Sequence, residues 1–283
     1  MKFSAALSVL ALAGTSIATP QKGYTTVKYP TTKYPTTTLA GLEVIDTPLV
    51  RDVRKLVEEF NELQPYLYKH VMRTWLWGVA AMKANETLKN MIDPELQAVG
   101  SMMHDMGWDS MPPLEEIPLI DCGPVRANDR DQRFEADSGL AAVNFVKAHP
   151  SARNWDEVRL EKMYDGIALQ IEHSLVANKN IQSRFIVQCV QWEIPGPRDP
   201  RIPEDDYNNI LAEFPNHYAS RGTNTTFTWF AAHKPASTYD SAMEPFGSGN
   251  VPGYNSTGHR LYDSITANAI KEAAKYPNST IYS

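Results

Sequence analysis

The chain has 283 residues, a formal net charge of −6 and 42% apolar residues, which is enough material for one sizeable core. Its acidic balance excludes broad binding to nucleic acid or to an anionic membrane surface. No stretch approaches the ~20 uninterrupted apolar residues that a membrane-spanning helix needs.

Residues 1–18 read as a secretory signal. Lys2 supplies the basic start, Ala5 to Ala13 the apolar run, and Ser16-Ile17-Ala18 a small-x-small cleavage site. The expectation is a secreted, extracellular protein. Sequons at Asn85, Asn224, Asn255 and Asn278 agree with a glycoprotein, although about two would arise by chance in a chain of this composition. Residues 19–40 carry a repeat, Tyr29-Pro30-Thr31-Thr32-Lys33 followed by Tyr34-Pro35-Thr36-Thr37-Thr38. They have no apolar period and are expected to form an extended, unpacked arm.

Helical patterns begin after Asp46-Thr47-Pro48, a cap followed by a first-turn proline. Leu49, Val53, Leu56, Val57, Phe60 and Leu63 recur at three and four, one apolar helix face. Pro65 opens a second helix that runs to about Ala84, and Asp93-Pro94 caps a third that ends near His104. A loop rich in Pro, Asp and Arg is expected over 112–131. Helices follow over 135–148, 155–178, 181–192 and 204–213, and the chain is then loop-rich to a last helix near 260–275. No convincing strand run appears, so the fold class is all-α, with a helical domain over 41–217 and a loop-rich extension, 218–283, packed on it. Cys122 and Cys189 are the only cysteines. One disulfide or two buried thiols both remain open, and neither suggests a thiolate metal site.

The chemistry centres on His104-Asp105 at the end of the third helix, with His70 inside the second. Seven His and 16 Asp predict roughly 0.4 such dipeptides by chance, so the pair alone says little. One histidine within a helix and a His-Asp pair ending a neighbouring one is an arrangement that gathers imidazole and carboxylate around a cation. Adjacent helical residues point about 100° apart, so both reach one ion only beside the helix end, where Gly107 permits a turn. The dipeptide also suits a plain helix C-terminus, where imidazole complements the dipole and Asp opens a turn. Imidazole plus carboxylate suits one divalent ion, with zinc placed first and iron or manganese equally compatible with the donors.

Five segments, in order, carry a resemblance. They are His70-Val71-Met72-Arg73-Thr74-Trp75-Leu76-Trp77-Gly78, Met102-Met103-His104-Asp105-Met106-Gly107, Arg133-Phe134-Glu135-Ala136-Asp137-Ser138-Gly139, Asp165-Gly166-Ile167-Ala168-Leu169 and Trp192-Glu193-Ile194-Pro195-Gly196-Pro197. Over residues 48–217 the chain resembles the HD-domain superfamily of metal-dependent hydrolases, and within it the fungal cyanamide hydratase-like branch. The resemblance implies an HD-type helical bundle that holds its metal through His70, His104, Asp105 and Glu193. It also implies that Asp165, Gln170 and His173 orient groups or move protons beside the ion. Two positions depart from the family pattern. Glu193 stands where the family has aspartate, and Gln170 where it has histidine, with His173 one turn further on the same face.

The implied activity is hydration or hydrolysis of a small molecule by a metal-activated water, with no nucleic-acid or membrane partner. The superfamily implies phosphate-ester hydrolysis as an alternative. A catalytically degenerate secreted scaffold that acts as a binding protein is the third reading, motivated by Glu193 and Gln170. Arg73, Arg133 and Glu135 are further candidates for the cavity, with ordinary ion pairing as the plain alternative. Trp75, Trp77, Trp108 and Trp192 flank the candidate ligands and suit either a dry site or helix packing.

Overall fold

The computed structural model describes residues 34–108, 132–194, 197–217 and 219–277. The expected signal sequence, residues 19–33, the expected 112–131 loop with Cys122, Pro195-Gly196 and the sequon at Asn278 lie outside them.

The first ordered element is a small antiparallel hairpin, β1 (Thr36–Leu39) and β2 (Leu42–Ile45), in the register Thr36 opposite Ile45 and Leu39 opposite Leu42. Its two-residue turn places Ala40 at φ 48° and Gly41 at φ 72°, the double positive φ that matches strand twist. The Glu213 carboxylate accepts the Ala40 N–H at 2.8 Å and fixes the turn on the body. Leu42 and Val44 are buried while Glu43 between them is exposed. The end of the segment expected to be an unpacked arm is therefore packed. Four-residue strands rich in threonine carry too short a period to be read from sequence.

Helix α1 (Pro48–Phe60) starts as its sequence implies, with Thr47 Oγ1 accepting the Val50 N–H and Leu49, Val50, Val53 and Val57 facing inward. Helix α2 (Pro65–Ala84) is buried on every side from Val71 to Met82, the pattern of a central helix. A short α3 (Glu86–Met91), capped by Asn85, leads to α4 (Pro94–Met103), which is buried at every position from Glu95 to Met103. Asp93 caps α4 by accepting the N–H groups of Glu95 and Leu96.

Helices α5 (Phe134–Ala148), α6 (Glu157–Ala168), α7 (His173–Val176), α8 (Ile181–Gln191) and α9 (Glu204–Glu213) complete the bundle. Helix α6 packs between α5 and α8, and α4 contacts α1, α2, α5, α6 and α8. No strand occurs among the described residues between 48 and 217. The single helix expected over 155–178 is broken at Leu169–Glu172 between α6 and α7, which brings Gln170 into the interior.

The 218–283 segment is less loop-rich than its sequence suggests. It forms α10 (Ala219–His233), α11 (Glu244–Asn250) and α12 (Leu261–Lys275), and α10 packs on both α2 and α11. Helix α10 reads ASRGTNTTFTWFAAH, rich in weak helix formers, and it is helical because Thr226, Phe230 and Ala231 are buried. No helix among the described residues is long and apolar enough to cross a membrane. Asn85, Asn224 and Asn255 are exposed.

A buried polar network pins the start of α4. Arg159 binds Asp93 through two nitrogens at 2.7 and 2.9 Å and Glu95 at 3.0 Å, while Thr47 and the Trp155 indole N–H donate to the same Glu95 carboxylate. The far end of α4, about 15 Å away at 1.5 Å per residue, presents His104 and Asp105. The network holds the helix in place and the other end carries the chemistry.

Candidate metal centre

His70, in the second turn of α2, and His104-Asp105, just past the end of α4, converge. The Nε2 atoms of His70 and His104 lie 2.9 Å apart, and Asp105 Oδ2 lies 3.2 Å from each. These three donors form a nearly equilateral triangle on one face of a common point. Donors this close would hold one divalent ion between them at the usual ligand bonds of about 2.0–2.1 Å.

The surroundings of the three donors fit a cation. His104 donates its Nδ1–H to the Ser101 carbonyl at 2.8 Å, which leaves Nε2 with a lone pair facing the triangle. His70 Nδ1 faces a Glu193 oxygen at 3.0 Å, which fixes that ring in the same sense. Asp105 Oδ1 is buried with no hydrogen-bond partner, and Oδ2 has only the two imidazole nitrogens nearby. A buried carboxylate with one oxygen unpartnered is costly, and a divalent ion would offset that cost. His104 is fully buried while the His70 side chain keeps 18% exposure, so the centre opens on the His70 side.

Glu193, the fourth ligand implied by the resemblance, does not join the three converging donors in this structure. Its oxygens accept from Arg73 Nε at 2.9 and 3.0 Å, Arg73 Nη2 at 2.6 Å and Trp77 Nε1 at 2.6 Å, and one of them also holds His70 Nδ1. It lies behind the His70 ring, on the side opposite Nε2, and its lone pairs are occupied. The extra methylene lets the carboxylate reach past the position of a ligand to the back of the imidazole. Arg73 is 1% exposed and also donates to the carbonyls of Phe214 and Pro215, which anchors the end of α9 to the same carboxylate.

The three residues expected to move protons stand elsewhere. Asp165 pairs with Lys179 at 2.9 Å. His173 Nδ1 contacts the Gln191 amide on α8. Gln170 is buried, and its amide N–H donates to the His104 carbonyl at 2.8 Å, so it supports the backbone that carries a ligand. The break between α6 and α7 explains this placement, because it turns Gln170 inward and His173 away from its face. Arg133 binds Glu135 at 2.6 Å and Glu172 at 2.7 Å, the plain ion pair of the two readings. Cys189 is a free, buried thiol pushed up to about 12 by burial.

Gly107 matters for close approach, not for its backbone angles: it is absent from the positive-φ glycines. A Cβ there would collide with the Phe134 carbonyl oxygen and crowd the backbone N and hydroxyl of Ser138, whose Oγ accepts the Gly107 N–H at 2.7 Å. Gly107→Ala is expected to cost about 1–3 kcal/mol in chemical unfolding, because α5 must move away from the Asp105 turn. A wild-type unfolding midpoint in the variant would contradict that packing.

The electrostatics follow from the same contacts. Burial opposes charge on His70, but the carboxylates of Asp105 and Glu193 outweigh it and hold the imidazole at about 9. Burial, reinforced by the charge on His70, pulls His104 down. Glu193 is held at about 2: burial opposes its charge, and His70 and Arg73 more than compensate. His70 thus titrates higher in the fold than its ordinary 6.5. Its charge stabilises the ion-free protein fully below that value, and the contribution is lost as pH rises through 9. A cation requires neutral Nε2 and must displace this proton, so zinc affinity is expected to rise about tenfold per pH unit between pH 7 and 9. Chelator competition across that range reads it, and a flat profile would contradict the assignment.

No sequence motif singled out Tyr66 or Phe227 near the triad, whereas Trp108 and Glu135 were named from the sequence. The Trp108 ring lies parallel to His70, with centroids 6.4 Å apart and planes at 17°. Tyr66 hydrogen-bonds Thr226 of α10 at 2.6 Å and is pushed up to about 12 by burial, with the charge of Asp105 acting in the same direction. Glu135 is fully buried, and burial raises it, with Asp105 adding to the rise. Thr226 and Phe227 come from a segment with no motif, so only tertiary packing reveals them.

A comparison of the chain with protein-family models finds no match, and a comparison with curated proteins finds none either. The HD-domain resemblance rests on the five segments quoted above.

Proposed function

We propose that this protein is a metal-dependent enzyme that hydrates or hydrolyses a small uncharged molecule, in keeping with its cyanamide hydratase-like, HD-domain resemblance. The observation that carries the reading is the convergence of two oriented imidazoles and an otherwise unpartnered carboxylate from two helices. His70, His104 and Asp105 would hold the ion. When bound, a divalent cation acidifies water and polarises an acceptor group. Zinc with three protein ligands is the first choice, and the same two-histidine, one-carboxylate set also suits iron(II) or manganese.

The chain's own residues divide the remaining work. Glu193 and the Ser101 carbonyl hold the two imidazoles in the tautomer that offers Nε2. Gln170 braces the His104 backbone. Phosphate-ester hydrolysis is the weaker reading, because Arg73 and Arg133 are both saturated by carboxylates and carbonyls. The scaffold reading loses one of its motives, since Glu193 serves an intact three-donor set.

Elemental analysis of purified full-length protein tests the proposal. One zinc, iron or manganese per chain, lost in His104→Ala, is the expected result. A folded protein that carries none after incubation with each ion would favour the scaffold.

A further inference from the structure

The strongest unexplained feature beside the triad is the Trp108 indole. The residue is 96% buried, by its 4% exposure, yet its Nε1–H has no hydrogen-bond partner. Trp77 and Trp155 show how this fold treats other indoles, giving each N–H a carboxylate oxygen at 2.6 and 3.0 Å. Trp75 and Trp192 also lack a hydrogen-bond partner; a guanidinium lies over each ring, Arg54 at 6.0 Å and Arg201 at 5.0 Å, a contact with the π face that leaves the N–H unmade. Among the described residues no cation is placed over Trp108, and it is the indole ring paired with His70. A buried donor left unmade is costly, and Asp105 Oδ1 in the triad is likewise buried and unpartnered.

Around Trp108 stands a second apolar cluster, separate from the main core. Trp108 makes edge contacts with Phe134 at 5.6 Å and with Phe227 of α10 at 5.8 Å, and Phe134 stacks on Phe230. Tyr66 and Phe227 are only half-buried members. Gly222 lets α10 close on this wall, since a Cβ there would collide with the Tyr66 ring. Among the described residues, the charges nearby balance. Asp105, Glu135, Glu172 and Glu193 supply four negative charges, against Arg73, Arg133 and a divalent ion in place of the His70 proton. An anion entering this neutral, carboxylate-lined site gains no free guanidinium.

We propose that Trp108 Nε1 is a substrate-binding donor, and that the wall of Trp108, Tyr66 and Phe227 selects an uncharged molecule with a flat apolar body and one hydrogen-bond acceptor, such as a carboxamide. The inference rests on the metal-enzyme reading and adds the substrate class. Trp108 holds the acceptor beside the ion, and Phe227 and Tyr66 cover the apolar body.

The test uses full-length protein loaded with cobalt(II), whose visible bands report ligand binding at the metal. Benzamide, acetamide and phenyl phosphate are titrated into the wild type, Trp108→Phe and Phe227→Ala. Benzamide should bind at least about tenfold more tightly than acetamide and more tightly than phenyl phosphate. Trp108→Phe keeps an aromatic ring and removes the donor. It should weaken benzamide about tenfold with cobalt content unchanged, and Phe227→Ala should reduce the preference over acetamide. Equal binding of benzamide and acetamide, tighter binding of phenyl phosphate, or unchanged binding in Trp108→Phe would each overturn the proposal while leaving the metal reading intact. If the wild type takes up no cobalt, the metal reading fails and this proposal falls with it.

Discussion

Arg73→Met is expected to be the most damaging single substitution around the centre, lowering stability by roughly 3–5 kcal/mol in urea unfolding at pH 7. The guanidinium is buried, binds both oxygens of Glu193, and donates to the Phe214 and Pro215 carbonyls. Removing it strands a buried carboxylate and frees the end of α9. The double variant Arg73→Met, Glu193→Gln should recover part of the loss, because the stranded charge is gone and only hydrogen bonds are missing. A single-variant cost below about 1 kcal/mol would place the pair among ordinary surface bridges, contrary to its burial.

Glu193→Gln and Glu193→Asp are expected to weaken metal binding by about 10–100-fold without abolishing it, the usual size for losing a partner of a ligand histidine. Glutamine removes the charge that holds His70 Nδ1. Aspartate keeps the charge but loses the methylene that lets the carboxylate reach behind the ring. The substitution that restores the residue seen in the family should therefore not restore binding here. His104→Ala and Asp105→Asn remove donor atoms themselves and should lose metal outright. Competition with a chelator of known affinity separates the two classes. If Glu193→Asp bound more tightly than the wild type, the carboxylate would be acting as a ligand after all.

The sequence showed the site's donors more clearly than their support. His70, His104 and Asp105 were legible as candidates from their residue types at helix positions and from the segments that carry the resemblance, while their convergence appears only in the fold. The caps at Thr47-Pro48 and Asp93-Pro94 were legible for the same local reason, since a side-chain oxygen followed by proline starts a helix whatever packs on it. Glu193 was misplaced because a motif position records where a residue sits along the chain, not how far one more methylene carries its oxygens. The hairpin at 36–45 and helix α10 were not legible at all. One is too short to show its period, and the other is built from threonine, asparagine and glycine that become helical by burying Thr226 and Phe230. The aromatic wall beside the triad depends on that helix, so it could not be seen before the fold.

The central claim is that His70, His104 and Asp105 form one cation site with Glu193 outside it. The most direct measurement is a crystal structure of the zinc-loaded protein with anomalous data collected at the zinc edge. The account predicts a single strong peak about 2.0–2.2 Å from His70 Nε2, His104 Nε2 and an Asp105 oxygen, with Glu193 still bound to Arg73 and His70 Nδ1. A peak bonded to Glu193, or none between the two imidazoles, would contradict it.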